Sequence, residues 1–261
     1  MAERRSWVDI DLDAVRHNVG VLRREVAPAD VLVVVKADGY GHCAVPVAKA
    51  ALDGGATALA VAIVDEGVEL RDAGIDARVL VLAEPAPGDL AVCAAHDLEP
   101  TLYTPEGVAA AAKHAVGPMR VHVKVDTGMH RVGCAPTDVM AVAEAVAAEP
   151  SLELASIWTH CAVADEPDDP YTSEQLARYD DVLAQARERD LTFAWRHAAN
   201  SAAALYHPSS RYDLVRAGIS VYGIFPNPRL RTVDLRPALS WRASVAYGKP
   251  PAAGGGISQG R

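Results

Sequence analysis

The sequence predicts an α/β protein, a (β/α)8 TIM-type barrel followed by the truncated start of a second β-rich domain. Eight short runs rich in β-branched residues alternate with longer amphipathic segments, and this texture changes after residue 226. Strands that alternate with helices imply parallel strands joined by right-handed crossovers. Eight such units imply a closed barrel. We therefore expect residues 1–226 to form the barrel and residues 227–261 to form a linker with the opening strands of an incomplete C-terminal β domain.

The predicted elements follow one another along the chain in a regular order. The strands cover residues 31–36, 58–64, 78–83, 99–103, 120–126, 153–160, 192–200 and 214–222. The helices between them cover residues 44–52, 64–72, 104–114, 136–148 and 173–189, and a further helix over 11–26 precedes the first strand. Thr104 followed by Pro105 is typical of a helix start, and Pro136 opens another helix in the same way.

The segment after residue 226 departs from this alternation. Pro226, Pro228 and Pro237 interrupt it, and residues 239–247 read as a strand that no helix follows. An isolated pair of strands is marginal in water without further partners. We therefore expect this segment to open a β-rich domain whose remainder is absent from the printed chain.

Composition narrows the class of protein. Of the 261 residues, 25 are Lys or Arg and 34 are Asp or Glu, which gives a net charge of −9. Half of the residues are hydrophobic, enough for a large core, so a disordered or fibrous chain is excluded. Nucleic-acid binding needs a basic face, and the acidic balance argues against it. The N-terminus lacks the apolar stretch of a secretory signal, and no apolar run is long enough to span a membrane.

The cysteines indicate the cellular compartment. Cys43, Cys93, Cys134 and Cys161 are widely spaced and form no CxxC pair. That spacing is neither a disulfide framework nor a zinc site. We expect a cytoplasmic enzyme that binds no metal and has no nucleic-acid or membrane partner.

Two lysines close predicted strands, and the carboxyl ends of strands are where barrel enzymes hold their active sites. Lys36 ends the first strand, where partial removal from water suits an amine to Schiff-base formation. The alternative is a lysine whose charged end reaches solvent. Lys124 and Asp126 lie two apart and share one face of the fifth strand, and Arg131 follows on a loop. A surface group of ion pairs is the alternative there.

The last three strands add further polar residues at the same edge. His160 closes the sixth strand, where a structural histidine is the alternative. Ser201 stands where it either caps a short helix over 202–205 or binds an anion. The loops after the last two barrel strands usually form a phosphate site, and Gly218 would let the backbone approach a phosphate closely. Together with Arg216, these residues suggest a phosphorylated aldehyde cofactor, and pyridoxal 5′-phosphate fits.

Five segments carry a resemblance to a known family. In chain order they are VVVKADGYGH (33–42), KVDTGMHRVG (124–133), THCAVADE (159–166), NSAA (200–203) and VRAGISVYG (215–223). They resemble the ordered motifs of the alanine racemases. The resemblance runs from Trp7 to the end of the chain. It implies a pyridoxal-phosphate-dependent isomerase that interconverts L-alanine and D-alanine and so supplies D-alanine for peptidoglycan, and it implies a homodimer.

The resemblance also implies a role for each matched residue. Lys36 would bond covalently to the cofactor and act as the base on one face of the substrate. Arg131 would approach the phenolic oxygen of the cofactor and the substrate carboxylate, and His160 would pack against the pyridine ring. Lys124 matches a lysine that is carbamylated in some members. The remaining cofactor contacts would come from Tyr40, Asn200, Ser201, Gly218 and Ile219.

Arg216 matches the arginine that faces the pyridine nitrogen in this family. A permanent cation at that position disfavours protonation of the ring nitrogen. The cofactor is then a weaker electron sink, which discourages transamination and favours the movement of a single proton.

The printed chain departs from the family pattern near its end. The family places its second base, a tyrosine, in the sequence Val-Ser-Tyr-Gly, whereas this chain has Gln259 in the tyrosine position. An amide cannot exchange a proton as a phenol does. We therefore expect this chain to racemise alanine more slowly than the family does. We also expect it to dimerise weakly, because the family's C-terminal β domain supplies much of the dimer contact. Two alternatives stay open, a non-catalytic pyridoxal-phosphate carrier and a fold-related aldolase or decarboxylase that acts on D-amino acids.

Overall fold

The computed structural model describes residues 5–229, 231–250 and 253–256, and Gln259 lies outside these ranges. Ten strands occur in the described residues. In chain order they are β1 (Ser6–Ile10), β2 (Asp30–Val34), β3 (Ala58–Val61), β4 (Val79–Val81), β5 (Glu99–Leu102), β6 (Met119–Lys124), β7 (Leu152–Trp158), β8 (Trp195–His197), β9 (Leu214–Ala217) and β10 (Leu239–Ala243).

Eight of these strands form the predicted barrel. Neighbouring strands pair in parallel in the order β8-β7-β6-β5-β4-β3-β2-β9. The two end strands are joined by backbone hydrogen bonds, in which Asp213 N donates to Arg196 O at 3.1 Å and Arg216 N donates to Ala199 O at 3.0 Å. The prediction of a (β/α)8 barrel is therefore confirmed.

Helices cover the outside of the barrel. In chain order the helical elements are α1 (Leu12–Val26), α2 (Lys36–Gly41), α3 (Ala44–Asp53), α4 (Val64–Asp72), α5 (Asp89–Ala95), α6 (Pro105–His114), α7 (Val139–Ala148), α8 (Tyr171–Glu188) and α9 (Ser201–Tyr206), with 3₁₀ turns at Pro208–Ser210 and Ile219–Tyr222. Of these, α2 is a left-handed turn at the mouth of the barrel and not a regular helix. The predicted start of α6 is confirmed, because Thr104 Oγ1 accepts a hydrogen bond from Gly107 N at 2.9 Å. Asp11 caps α1 in the same way through Ala14 N, at 2.9 Å.

The boundaries differ from the predicted ones in a consistent direction. Most of the barrel strands end two to five residues earlier than predicted, because the chain leaves the sheet to form the loops at the barrel mouth. The helix predicted from residue 136 begins at Val139, after a turn in which Asp138 N donates to Ala135 O. The sequence analysis missed the short helix α5 and strand β1.

Alternation along the strands produces two layers of core. Residues that point outward pack against the helices, as Val31, Val33 and Leu59 do. Residues that point inward fill the barrel with a smaller apolar cluster of Leu32, Val34, Ala58, Ala60, Leu80 and Leu214. The barrel is therefore a packed core whose open space lies at its mouth.

A two-stranded antiparallel ribbon lies outside the barrel. β1 pairs with β10 from Ser6 opposite Ala243 to Ile10 opposite Leu239. Its side chains are largely exposed, and Trp241 is 79% accessible to solvent. The strand predicted over 239–247 is thus present but ends at Ala243. Its partner comes from the first residues of the chain, a long-range pairing that local sequence patterns do not indicate.

Within the described ranges, no helix has both the length and the apolar character that crossing a bilayer requires.

Asn18 joins α1 to the segment that precedes β10. Its buried side chain donates to Val221 O at 2.9 Å and Arg236 O at 2.7 Å, and it accepts from Arg236 N at 2.7 Å. We expect Asn18→Ala to lower the free energy of unfolding by roughly 1–3 kcal/mol, because it leaves buried backbone groups unpaired. Urea denaturation measures this loss.

The exposed residue Arg24 on the same helix provides the control. Arg24→Ala should change the free energy of unfolding by less than about 0.5 kcal/mol. Equal effects of the two substitutions would show that the hydrogen bonds of Asn18 do not hold the segment in place.

Candidate active site

A large cavity opens at the carboxyl ends of the barrel strands, with a volume of about 490 Å³. Every described residue to which the family resemblance assigns a role lines it, whereas Asp126 does not. These residues are Lys36, Tyr40, Lys124, Arg131, His160, Asn200, Ser201, Arg216, Gly218 and Ile219. The fold therefore brings together side chains that are separated by as many as 183 positions in the sequence.

Lys36 begins a turn of unusual backbone geometry. The four residues that follow it, Ala37, Asp38, Gly39 and Tyr40, have φ angles of 52°, 50°, 63° and 54°. This is the left-handed region, which residues with a Cβ adopt only at an energetic cost. The turn reverses the chain within a few residues, so that half-buried Lys36 and Tyr40 both line the cavity.

Two carboxylates hold this strained turn. Glu66 on α4 accepts hydrogen bonds from Ala37 N and Ala62 N, each at 2.7 Å. Asp38 accepts from Ala44 N at 2.7 Å and so fixes the start of α3. Sequence analysis missed Glu66, because a glutamate in the first turn of a helix is a common capping residue.

A hydroxyl and several backbone groups form a tight cradle on the other side of the cavity. Ser201 Oγ accepts from Gly218 N at 2.9 Å and from Ser220 N at 3.4 Å. A Cβ atom on Gly218 would lie 2.6 Å from Tyr40 Oη, so a larger residue there would displace the Tyr40 side chain. Asn200 caps α9 by accepting from Ala203 N at 2.9 Å. The alternative in which Ser201 caps this helix is therefore wrong.

Arg216 is buried on β9 at the floor of the cavity. Its guanidinium donates to Thr159 O at 2.7 Å, to Ala198 O at 2.9 Å and to His197 Nδ1 at 2.7 Å. It also lies over the ring of Trp158, 4.6 Å from the centroid. Burial lowers the pKa of Arg216 to about 10, so the group remains a cation at neutral pH.

His160 is held as a neutral imidazole beside this cation. Its Nδ1 accepts from Arg216 Nη2 at 3.2 Å. Burial lowers the pKa of His160 well below its ordinary value, and the positive charges of Arg216 and Lys124 lower it further. The ring therefore contributes a flat, uncharged surface to the cavity.

Lys124 ends β6 with its side chain buried in the cavity wall. Its Nζ lies 4.7 Å from the centroid of the Trp158 ring. Burial lowers the pKa of Lys124 to about 7, and the positive charges of Arg216 and Arg131 contribute to this shift. About half of the Lys124 amines are therefore neutral near pH 7, which makes them nucleophilic.

Asp126 does not share the position of Lys124. The predicted strand ends before it, and its carboxylate accepts from Gly128 N and Met129 N at 2.9 Å and from His130 N at 3.1 Å. It caps the loop that carries Arg131 and does not line the cavity. The expectation that Lys124 and Asp126 face the same space is wrong, because the chain turns out of the strand between them.

Trp158 and Asp165 also line the cavity and were missed as site residues, as was the neighbouring His197. Trp158 stacks on His197, with ring centroids 5.6 Å apart, and supports both Lys124 and Arg216. The available signal was the occurrence of polar or aromatic residues at alternate positions of otherwise apolar strands.

Barrel enzymes place their reactive groups where this cavity lies. An amine, a buried cation and a backbone cradle at one barrel mouth are groups that bind and transform a small anionic molecule. Fold and site therefore define an enzyme of the (β/α)8 class.

Comparisons with known proteins agree with this class and narrow it. The family described as "Alanine racemase, N-terminal domain" matches residues 10–226. The alanine racemase of Symbiobacterium thermophilum is 43% identical over 98% of this chain and 69% of its own length. That of Thermobifida fusca is 43% identical over 96% of this chain and 69% of its own length. The crystal structure of alanine racemase from Streptomyces lavendulae superposes with a TM-score of 0.89 at 39% identity, and the match covers 100% of this chain and 70% of that one.

The chain therefore belongs to the alanine racemase family. Its class of activity is that of an isomerase, an amino-acid racemase. The resemblance noted from the five sequence segments is confirmed.

The low pKa of Lys124 depends in part on Arg131, which gives a test. We expect the amine of Lys124 to titrate at about pH 7 in the unmodified protein and at a higher pH in Arg131→Gln, because one of two nearby cations is removed. NMR of protein labelled at lysine Cε follows the titration, with exposed Lys113 as the reference signal. An identical midpoint in both proteins would mean that Arg131 does not act on Lys124.

Proposed function

We propose that this chain binds pyridoxal 5′-phosphate through Lys36 and interconverts L-alanine and D-alanine. One observation carries the proposal. A single cavity of about 490 Å³ combines a lysine amine, a backbone cradle at Gly218 and a buried arginine cation. The family relationship supplies the class of reaction, and these groups supply the chemistry that it needs.

The residues present fit the cofactor. Gly218 has no side chain between its backbone and the cavity, and the Ser201 hydroxyl, which accepts from Gly218 N, keeps its own proton to donate to an oxyanion such as a phosphate. Tyr40 and Asn200 line the same part of the cavity, as does the backbone at Ile219. When bound, pyridoxal phosphate withdraws electrons from the substrate and so weakens its Cα–H bond.

Other residues that line the cavity would hold and deprotonate the substrate. Lys36 Nζ would exchange a proton with Cα on one face, and inversion also needs a proton donor for the other face, at the sequence position where the family has its tyrosine and this chain has Gln259. Arg131 would hold the carboxylate of alanine, since a guanidinium pairs with a carboxylate through two parallel hydrogen bonds. His160 is neutral and flat, and would support the pyridine ring without adding charge.

Arg216 would limit the reaction to the movement of a proton. Its guanidinium is buried and stays positive at neutral pH, so it opposes a second positive charge on the pyridine nitrogen. The neutral ring withdraws electrons less strongly, which disfavours transamination.

Lys124 would form a carbamate with carbon dioxide. This reaction needs a neutral amine, and the pKa of about 7 provides one at neutral pH. The carbamate would bring a negative charge close to Arg216 and Arg131, whose positive charges lower the pKa of the lysine and are only partly offset by Asp126. It would then orient Arg131.

The proposal extends to organisation. We propose that residues 1–226 are the cofactor-binding barrel domain, that residues 227–261 belong to the start of a β domain, and that the enzyme acts as a cytoplasmic homodimer. The ribbon of β1 and β10 supports the assignment of residues 227–261 to a β domain, since it lies outside the barrel and exposes Trp7 and Trp241. D-alanine would serve peptidoglycan synthesis.

The test of this function is covalent trapping followed by an assay. Borohydride reduction with pyridoxal phosphate should attach the cofactor to Lys36, identified by peptide mapping. Lys36→Ala should lose the adduct, and racemisation measured by chiral chromatography should fall by a factor of about 10²–10⁴, the usual effect of losing an acid–base group.

Other outcomes separate the alternatives. Adducts at Lys113, Lys124 or Lys249 in place of Lys36 would contradict the assignment. An adduct at Lys36 with no exchange of the Cα hydrogen of alanine in D₂O would support a carrier, and decarboxylation or aldol cleavage of a D-amino acid would support the third alternative.

The carbamate can be detected directly. Protein equilibrated with ¹³C-bicarbonate should show a carbamate carbonyl signal in its ¹³C spectrum, and Lys124→Gln should lack it because it has no amine. The signal should be lost as the pH falls below about 7, where Lys124 becomes protonated. A signal of equal size in Lys124→Gln would place the carbamate elsewhere.

A further inference from the structure

A chain of buried polar side chains runs across the interior of the barrel from the floor of the cavity to the opposite end. Each of five neighbouring strands, β5 to β9, contributes one member. In barrel order the members are Glu99, His122, Ser156, His197 and Arg216, and none is more than 3% exposed. Five polar groups in an apolar barrel carry a large desolvation cost unless every one is paired.

The contacts along the chain are short and continuous. Arg216 Nη1 lies 2.7 Å from His197 Nδ1, and His197 Nε2 lies 2.9 Å from Ser156 Oγ. Ser156 Oγ lies 2.6 Å from His122 Nδ1, and His122 Nε2 lies 2.9 Å from Glu99 Oε2. Arg78 and Arg120 bind the same carboxylate at the far end of the barrel.

The two ends of the chain fix the direction of every hydrogen bond in it. A guanidinium can only donate, so His197 Nδ1 must accept from Arg216 and carry no proton. Neutral His197 then has its proton on Nε2 and donates to Ser156. An ionised carboxylate can only accept, so His122 donates to Glu99 through Nε2–H and accepts the hydroxyl proton of Ser156 at Nδ1.

The ionisation states support this direction. Burial lowers the pKa of His197 well below its ordinary value and lowers the pKa of His122, so both rings are neutral. Burial alone would raise the pKa of Glu99, but hydrogen bonds from His122 and Arg78 outweigh it and hold this pKa at about 2. The four members from Arg216 to His122 therefore each donate to the next one along the chain, and Glu99 accepts the last hydrogen bond.

We propose that Glu99, His122 and Ser156 are positioning residues for Arg216. Through this one-way chain, the carboxylate of Glu99 keeps the Nδ1 lone pair of His197 directed at the guanidinium. His197 thereby holds the guanidinium of Arg216 in a single orientation at the floor of the cavity. The residue that sets this orientation, Glu99, lies four strands away on β5. The last step, in which this guanidinium faces the cofactor, rests on the proposed function.

Histidine ¹⁵N NMR of the protein without added cofactor tests the chain. His122 and His197 should both show a pyridine-type Nδ1 and a pyrrole-type Nε2 at neutral pH. Arg216→Met removes the donor to His197, but the tautomer should persist because Glu99 still imposes it. Adding Ser156→Ala to Arg216→Met should release it and give a mixture of tautomers.

A matched control uses the buried hydroxyl of Thr101, which has no hydrogen-bond partner in the described structure. Arg216→Met with Thr101→Val should keep the single tautomer of His197. A proton on Nδ1 of His197 in the unmodified protein would overturn the proposal, as would a mixed tautomer in Arg216→Met alone. Neither result depends on whether pyridoxal phosphate binds.

A second readout uses the enzyme with its cofactor and leaves Arg216 in place. Ser156→Ala should lower kcat about tenfold, the loss expected for one hydrogen bond to a charged network, and raise the share of turnovers that end in transamination. KM for alanine should not change, because Ser156 does not line the cavity. Thr101→Val should alter none of these quantities. An unchanged transamination share in Ser156→Ala would refute a role in positioning Arg216.

Discussion

The structure of the site depends on one buried cation that is held without a carboxylate. In the described part of the chain, Arg216 is bound by two backbone carbonyls, two imidazoles and the face of Trp158. Neutral acceptors satisfy the hydrogen bonds of the guanidinium and leave its charge in place. A charge left uncompensated in a low-dielectric site acts strongly on its neighbours. Burial lowers the pKa of His160 and of Lys124, and the charge of Arg216 lowers both further.

The backbone around Lys36 shows a second constraint, which is steric. Three residues with a Cβ adopt left-handed geometry beside it, and the cost is met by the hydrogen bonds of Glu66 and Asp38. The turn brings the Tyr40 side chain against Gly218, so close that a Cβ atom at position 218 would displace it. The strained turn after β2 and the glycine after β9 therefore shape the same part of the cavity.

The sequence predicted the residues that line the cavity better than the contacts that hold those residues in place. Residues at strand ends could be named from alternation, since a barrel brings all carboxyl ends together, and Lys36, His160 and Arg216 were found in this way. The β1–β10 pairing could not be predicted because it joins segments more than two hundred residues apart. The capping role of Asn200 and the turn at Asp126 depend on local backbone angles that residue type does not fix.

The charge of the cavity runs against the charge of the whole chain. The protein carries a net charge of −9, yet the cavity is lined by Lys36, Lys124, Arg131 and Arg216 against the single carboxylate of Asp165. Such a local excess of cations is costly in an empty site and is relieved by anions. A phosphate, a substrate carboxylate and a carbamate on Lys124 would each supply negative charge at a different wall. The chain from Arg216 to Glu99 links the cavity to a further carboxylate at the other end of the barrel interior. Because Glu99 is already paired with Arg78 and Arg120, it can orient Arg216 without neutralising it, and the cavity keeps the positive potential that its anions require.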